Sequence, residues 1–288
     1  MQLSERDITT REVLDWKGIH LFHAPGSSCS QKVRIYLNIK DVEWTSHPVN
    51  LMLKENISSY YLGINPRGLV PCLIDDGAVH IESNDILVHL ESRFPEPSLI
   101  PAEHNDSVSD LLRHEDNLHM ALRTVTFRFM MPTDEPPKTA QDLERYANQG
   151  SGTVGGVADA ARDREIAFWR NMLDGGISDE AARAAVAEFR AAFEDLEQRL
   201  AGSSYILGNQ LSVLDIAWVI YVNRLALAGY PLEHLHPRLA AWAATLKSDP
   251  AFAPEMALPP PFAARVAAHQ EALAQAGRSL SEVCGLTT

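Results

Sequence analysis

The pattern of apolar and polar positions changes character near residue 100. Before it, short apolar runs alternate with helical stretches; after about residue 107, Ala, Leu, Glu and Arg recur at helical period and no convincing strand remains. Ile19-His20-Leu21-Phe22-His23 reads as a strand, and Ala24-Pro25-Gly26 breaks it. Val33, Tyr36 and Leu37 then sit at i, i+3 and i+4, so the spacing predicts a helix that begins near residues 28–30 under a hydroxyl cap. Val42, Trp44 and Val49 mark a second strand within residues 42–51, which Pro48 shortens. Two further apolar runs, at 69–74 and 78–81, flank Asp75-Asp76-Gly77 and predict a hairpin, with Tyr60-Tyr61-Leu62 packed beneath it. Pro71 lies inside the first run and removes a ladder donor, so a turn or a cis bond is expected there. Glu82-Ser83-Asn84-Asp85 follows, and Ile86, Leu87, Leu90 and Phe94 repeat with helical spacing.

Residues 95–101 contain Pro95, Pro97 and Pro101, which cannot continue a helix and read as part of a linker over 95–106. Beyond it the expected elements are a long helix over 108–131, a flexible insertion near 133–156 drawn over a cleft, and helices over 158–173 and 178–200. Ser212 with Asp215 three residues on has the spacing of a capping box before an apolar helix, a structural role worth about 1 kcal/mol or more. His234 and His236 flank a proline turn with no acidic or cysteine cluster nearby, so a surface loop is expected there and no metal site. Residues 1–18 form a polar extension without a period, expected as a surface tail, and the tail after Pro261 holds one amphipathic segment over 262–276.

Composition narrows the function classes. The 288 residues leave room for two domains, and the net charge of −13 argues against nucleic acid or an anionic membrane surface and favours a small soluble ligand. The first twenty residues are rich in charge and no run of about 18 apolar residues occurs, so neither a signal peptide nor a membrane span is expected. Cys29, Cys72 and Cys284 are too few and too widely spaced for a disulfide framework, so reduced thiols and a cytoplasmic protein are expected.

The chemistry gathers at two places. Residues 27–30, Ser-Ser-Cys-Ser, stand at a helix N-terminus, where free N–H groups and the positive end of the helix stabilise a thiolate. Residues 82–85 put polar side chains and free N–H groups at a strand end and a helix start, which suits a carboxylate ligand.

The run N-P-R-G-L-V-P at 65–71, a turn, a short strand and then Glu82-Ser83 resembles the second half of the thioredoxin-like domain of glutathione transferases. S-S-C-S-x-x-V-R-I at 27–35 resembles the activating motif of their zeta class, which is typified by maleylacetoacetate isomerase; Gln31-Lys32 replaces the usual Trp-Arg, and Gly26 stands where a basic residue is common. The resemblance extends over about residues 19–255 and includes the capping box at Ser212 and Asp215. It implies an α/β thioredoxin-like N-terminal domain over 19–94 followed by an all-α domain over 107–288. It further implies that Pro71 is cis, that the Val70 backbone pairs with the cysteinyl part of glutathione, and that Glu82 and Ser83 hold the γ-glutamyl end. Lys54 and His47 are then candidates for the glycyl carboxylate, and Arg113, His114 and Asn117 for the co-substrate pocket.

The activity so implied is attack of the glutathione thiolate on a hydrophobic electrophile, in aryl ether cleavage, dehalogenation or isomerisation, by a dimer that needs no metal. Ser27 or Ser28 would donate a hydrogen bond to the sulfur, because a serine hydroxyl is too weak a base to take its proton at neutral pH. Two other readings stay open at this point. One is a thiol reductase in which Cys29 forms a mixed disulfide with glutathione, and the other is a non-catalytic protein that keeps the fold.

Overall fold

The computed structural model describes residues 1–131 and 137–286. In chain order the elements are β1 (Ile19–His23), α1 (Ser28–Ile39), β2 (Thr45–Pro48), α2 (Ser59–Leu62), β3 (Cys72–Asp75), β4 (Ala78–Ile81) and α3 (Ser83–Arg93). There follow α4 (Val108–Asp116), α5 (His119–Val125), α6 (Ala140–Asn148), β5 (Thr153–Val154), β6 (Val157–Ala158) and α7 (Ala160–Asp174). The chain then continues through α8 (Asp179–Arg199), α9 (Val213–Leu227), α10 (Leu232–Leu235), α11 (Pro237–Ser248), α12 (Ala253–Met256), α13 (Pro260–Gln275) and α14 (Leu280–Cys284). It divides into two compact units, one of residues 1–37, 41–90 and 135–176 and one of 38–40, 91–134 and 177–288.

The first unit is built on a four-stranded sheet of order β2-β1-β3-β4, with β1 parallel to β2 and antiparallel to β3. The predicted hairpin forms with Cys72 opposite Ile81 and Asp75 opposite Ala78. Asp76 and Gly77 both take positive φ, 48° and 88°, as a two-residue turn of the primed kind requires. A Cβ on Gly77 would lie 2.1 Å from the carbonyl oxygen of Leu14, so close approach as well as φ selects glycine there.

Residues 1–18 are not a surface tail. Leu3, Ile8 and Val13 are buried in the same apolar cluster as Phe22, Ile74 and Val79. The backbone joins the edge of the sheet, with Leu3 N–H on the Val79 carbonyl at 2.8 Å and Ile81 N–H on the Met1 carbonyl at 2.9 Å. Three buried aliphatic side chains stabilise by roughly 1.5–3 kcal/mol each, which outweighs the short polar run around them.

The region expected as a flexible insertion is also ordered over its described part; residues 133–136 lie outside the described residues. Thr139 and Asp142 form a capping box that starts α6, and a two-residue hairpin follows. Tyr146 and Ile166 share an apolar cluster with Ile57 and Leu62, so α6 and α7 belong to the first unit. Asp7, 1% exposed, accepts from Gly155 N–H at 2.8 Å, Gly156 N–H at 3.1 Å and Thr153 Oγ1 at 3.1 Å. Extension and insertion therefore hold one another.

The second unit is helical. The expected helix over 108–131 is interrupted: α4 ends at Asn117, α5 begins at His119, and residues 126–130 form a π-turn. At its centre α9 buries nearly every side chain from Val213 to Val222. Asp215 anchors its start, accepting from Ser212 N–H at 2.9 Å, Ser212 Oγ at 2.6 Å, Ile206 N–H at 3.0 Å and Trp242 Nε1 at 3.0 Å. Its burial pushes the carboxyl pKa up, against those four donors. His236 is buried, 2.8 Å from the Tyr230 hydroxyl and stacked on that ring, which corrects its expected place in a surface loop. Among the described residues no helix is long and apolar enough to cross a membrane.

Candidate functional site

Two loops of the first unit meet at Ser27 and Val70. The first leaves β1 and enters α1. Arg34, buried on α1, donates to the carbonyls of Ala24 at 3.2 Å and Pro25 at 3.1 Å and so fixes its path. Ser27 caps the helix, its Oγ accepting the Ser30 N–H at 3.2 Å, while its hydroxyl points to the Val70 carbonyl 3.5 Å away. Ser28 and Cys29 follow in the first turn of α1, both half-buried. No disulfide involves Cys29, and burial pushes the Cys72 thiol well up, which leaves that second sulfur inert.

The second loop runs from Asn65 to the cis bond between Val70 and Pro71. Three successive carbonyls in it each receive side-chain donors. Tyr146 bonds Arg67 O, Asn56 bonds Gly68 O at 2.8 Å, and Tyr61 and Asn65 bond Leu69 O at 2.6 and 2.7 Å. Gly68, with φ of 59°, lies so close to Asn56 and Tyr146 that a Cβ would meet both at about 3 Å. Val70 itself stands before the paired register of β3, which starts at Cys72, so its backbone groups are not consumed by the ladder.

Glu82 and Ser83 close the cradle. Glu82 takes a left-handed φ of 65° between β4 and α3, and Ser83, 4% exposed, opens the helix whose first N–H groups have no intrahelical acceptor. A glutamate in that conformation is uncommon, and its carboxylate is tied to Arg67.

Arg67 is the residue that sequence reasoning missed. Its Nη1 binds Glu82, while Nε and Nη2 grip Asp159 at 2.6 and 3.0 Å. Asp159 simultaneously caps α7 through Ala161 N–H at 3.2 Å. Lys54, whose φ of 62° is also left-handed, lies 2.5 Å from Asp142 and is not the solvated lysine that its polar surroundings suggest. Burial raises the Asp142 pKa, but Lys54 and Thr139 outweigh it and bring the carboxyl down to about 2. The only sequence signal for these partners was the T-x-x-D spacing at Thr139, the same spacing that marked Ser212 and Asp215.

The remaining candidates have contacts of their own. His47 stacks on Trp16 at 4.8 Å and Phe22 at 4.6 Å, with Nε2 3.1 Å from His20 Nδ1; burial and His20 lower its pKa. That stack commits its ring to packing on the sheet. Arg113, His114 and Asn117 belong to the second unit, all exposed: Arg113 pairs with Asp110 at 2.8 Å, His114 faces Trp218 at 6.0 Å, and Asn117 ends α4. Among the described residues no group of three or more His, Cys, Asp or Glu side chains could hold a metal ion.

Such a cradle offers a capped helix N-terminus, a hydroxyl, a strand-end backbone outside the ladder and the Glu82–Ser83 pair, which together can hold a peptide thiol. Comparison with known proteins agrees. Residues 21–98 match the family model of the glutathione S-transferase N-terminal domain, and residues 179–245 that of the C-terminal domain. A zeta-class glutathione S-transferase of Euphorbia esula is 44% identical over 77 residues, which cover 27% of this chain and 34% of that protein. The chain thus spans about a third of the length of the first curated relatives it matches. A probable maleylacetoacetate isomerase of Vibrio cholerae is 26% identical over 231 residues, 79% of this chain and 90% of that one. The crystal structure of beta-etherase LigF from Sphingobium sp. strain SYK-6 superposes with a TM-score of 0.66, at 24% identity over 82% of this chain and 98% of that chain, a likeness of fold. With a thioredoxin-like unit and a helical unit that match the two domains in order, the chain belongs to the glutathione S-transferase family.

Proposed function

We propose that this protein is a glutathione transferase that binds the tripeptide in its first unit and directs the thiolate onto a hydrophobic electrophile. The observation that supports this most directly is the meeting of Ser27 and Val70. Ser27 Oγ already accepts a hydrogen bond from the Ser30 N–H, and its bond to Val70 is long at 3.5 Å, so its proton is available to a sulfur placed between the two loops. The Val70 backbone would pair with the cysteinyl residue, and Glu82 and Ser83 would take the γ-glutamyl end, Glu82 its ammonium and Ser83 its carboxylate.

The energetics suffice. Bringing a free thiol from about 8.5 to below neutrality takes roughly 2.7 kcal/mol. A hydrogen bond to a charged acceptor supplies about 1.5–3 kcal/mol, and the N-terminus of α1 adds about 0.3–1 kcal/mol. Binding both reactants then supplies proximity, and the thiolate attacks an electrophilic carbon in ether cleavage, dehalogenation or isomerisation. The relatives' names favour isomerisation and ether cleavage within that range.

Cys29, half-buried in the same helical turn, supports a second reading as a thiol reductase. Turnover with a chloronitrobenzene and with a mixed disulfide separates the two. The transferase reading expects Ser27→Ala to lower kcat about 10- to 100-fold and Cys29→Ala to leave it near unmodified. The converse pattern, with only the disulfide reduced, overturns it. Met52 and Leu53, adjacent in the first unit and 71% and 72% exposed, support self-association, and a dimer is expected by sedimentation.

A further inference from the structure

Residues 137–176 lie between the two segments that match the family's domains, yet they belong to the first unit, where they grip Arg67 at both of its ends. The Tyr146 hydroxyl donates to the Arg67 carbonyl, and the Tyr146 ring lies so close to Gly68 that a Cβ there would meet its Cε2 at 3.0 Å. Asp159 accepts from two N–H groups of the Arg67 side chain, Nε at 2.6 Å and Nη2 at 3.0 Å, while Nη1 binds Glu82. Both holders are themselves fixed. Tyr146 is 1% exposed on α6, and Arg162 of α7 stands over its ring at 5.1 Å and donates to its carbonyl. Asp159 is the cap of α7, with its side chain 9% exposed.

What these contacts govern lies on separate stretches of chain. Val70 follows Arg67 in the loop before β3, whereas Glu82 stands after β4 with a left-handed φ of 65°. A glutamate keeps that conformation only where its surroundings impose it, and the two-point pair with Asp159 fixes the plane of the guanidinium that holds its carboxylate. A bound glutathione needs the Val70 backbone and the Glu82 carboxylate in place together, because its cysteinyl backbone and γ-glutamyl ammonium are covalently joined. A shift of about 0.5 Å in either group weakens one contact when the other is made. Ser27 does not depend on Arg67: Ser30 N–H and the bonds of Arg34 to the Ala24 and Pro25 carbonyls set it at the start of α1.

Resting on the reading that the first unit binds glutathione, we propose that Tyr146 and Asp159 are positioning residues for the thiol. Tyr146 holds the loop that presents Val70, and Asp159 acts through the Arg67 side chain to aim the Glu82 carboxylate. The two residues set affinity for the tripeptide and leave the chemistry of its sulfur to Ser27 and α1.

Calorimetric titration with glutathione and steady-state turnover with a chloronitrobenzene test this in the full chain, unmodified and as Tyr146→Phe, Asp159→Asn, Glu82→Gln and the pairings of each of the first two with Glu82→Gln. Phenylalanine keeps the ring against Gly68 and asparagine keeps a cap on α7, so loss of the contact is separated from loss of the helix. Tyr146→Phe and Asp159→Asn are each expected to raise Kd and KM for glutathione about five- to twentyfold, with kcat at saturating thiol within about twofold of the unmodified protein. In the Glu82→Gln background Asp159→Asn should weaken binding by less than about twofold further, because the carboxylate it aims is gone, whereas Tyr146→Phe should keep its full effect. An unchanged Kd in either single variant, a fall of kcat as large as the rise of KM, or full additivity of Asp159→Asn with Glu82→Gln overturns the proposal while the transferase reading stands. Absence of glutathione binding to the unmodified protein overturns that reading and the proposal with it.

Discussion

Asp159 and Arg67 form a two-point ion pair 92 positions apart in sequence, with Oδ2 2.6 Å from Nε and Oδ1 3.0 Å from Nη2. It links the loop that presents Val70 to the cap of α7, and Glu82 shares the same guanidinium. Position 67 therefore carries both the geometry of the Val70 loop and the attachment of the insertion.

Arg67→Met should expose what that pair holds. Two carboxylates, at 9% and 34% exposure, lose their partner, and breaking a largely buried pair from one side costs roughly 3 kcal/mol. Urea denaturation should show that loss. The double variant Arg67→Met with Asp159→Leu should recover part of it, because the stranded charge is gone.

Asp7 should act as the clasp of the β5–β6 hairpin, since its carboxylate holds the N–H groups of Gly155 and Gly156 and the Thr153 hydroxyl. Asp7→Ala is expected to raise the rate of proteolytic cleavage within residues 150–158 at least several-fold while the midpoint of global unfolding falls only slightly. Unchanged cleavage would show that the hairpin holds without it.

Asp215 carries more of the second unit than its serine partner. Asp215→Ala leaves the N–H groups of Ile206 and Ser212 and the Trp242 indole without acceptors, at about 1–3 kcal/mol each, so a loss of about 3 kcal/mol or more is expected. Ser212→Ala removes only the hydroxyl contact and should cost about 1 kcal/mol. Equal losses from the two would contradict the assignment.

Two buried histidines set a pH dependence of stability. Burial, then Arg34 and His47, lowers His23 to about 4; burial, then His89 and the N-terminal amine, lowers His80 to about 4 against the pull of Asp75. Both are neutral in the folded protein at pH 5, whereas the unfolded chain protonates them near 6.5. The unfolded state thus binds more protons between about pH 4 and 6.5, and stability rises with pH across that window, by about 2 kcal/mol per histidine between pH 5 and neutrality. His80, whose Nε2 is buried without a hydrogen-bond partner among the described residues, is the one to replace: His80→Gln should flatten the dependence measured by urea denaturation at pH 5 and 7.5.

The fold was legible wherever one element's own residues determine it. The hairpin at 69–81, the hydroxyl-capped α1, the helices α7 and α8 and the box at Ser212 all follow from local spacing, and the structure holds each within a few residues of its expected place. Residues 1–18 and the insertion were not legible, because what orders them is a partner far away in sequence. Leu3 is meaningless until β4 is beside it, and Asp7 until Gly155 is. The site divides along the same line. Ser27, Val70, Glu82 and Ser83 lie in contiguous motifs and could be named, whereas Arg67, Asp142 and Asp159 come together only in three dimensions. His47 is a candidate by resemblance alone, and its stacking on Trp16 and Phe22 is a contact that spacing along the chain does not show.

The claim that a serine hydroxyl at the start of α1 stabilises a glutathione thiolate is tested most directly by ultraviolet difference spectra of glutathione titrated at neutral pH into the unmodified protein, Ser27→Ala and Cys29→Ala. The account predicts a saturable thiolate band in the unmodified protein and in Cys29→Ala that Ser27→Ala abolishes. A band that survives Ser27→Ala and vanishes in Cys29→Ala, or no band at all, would contradict it.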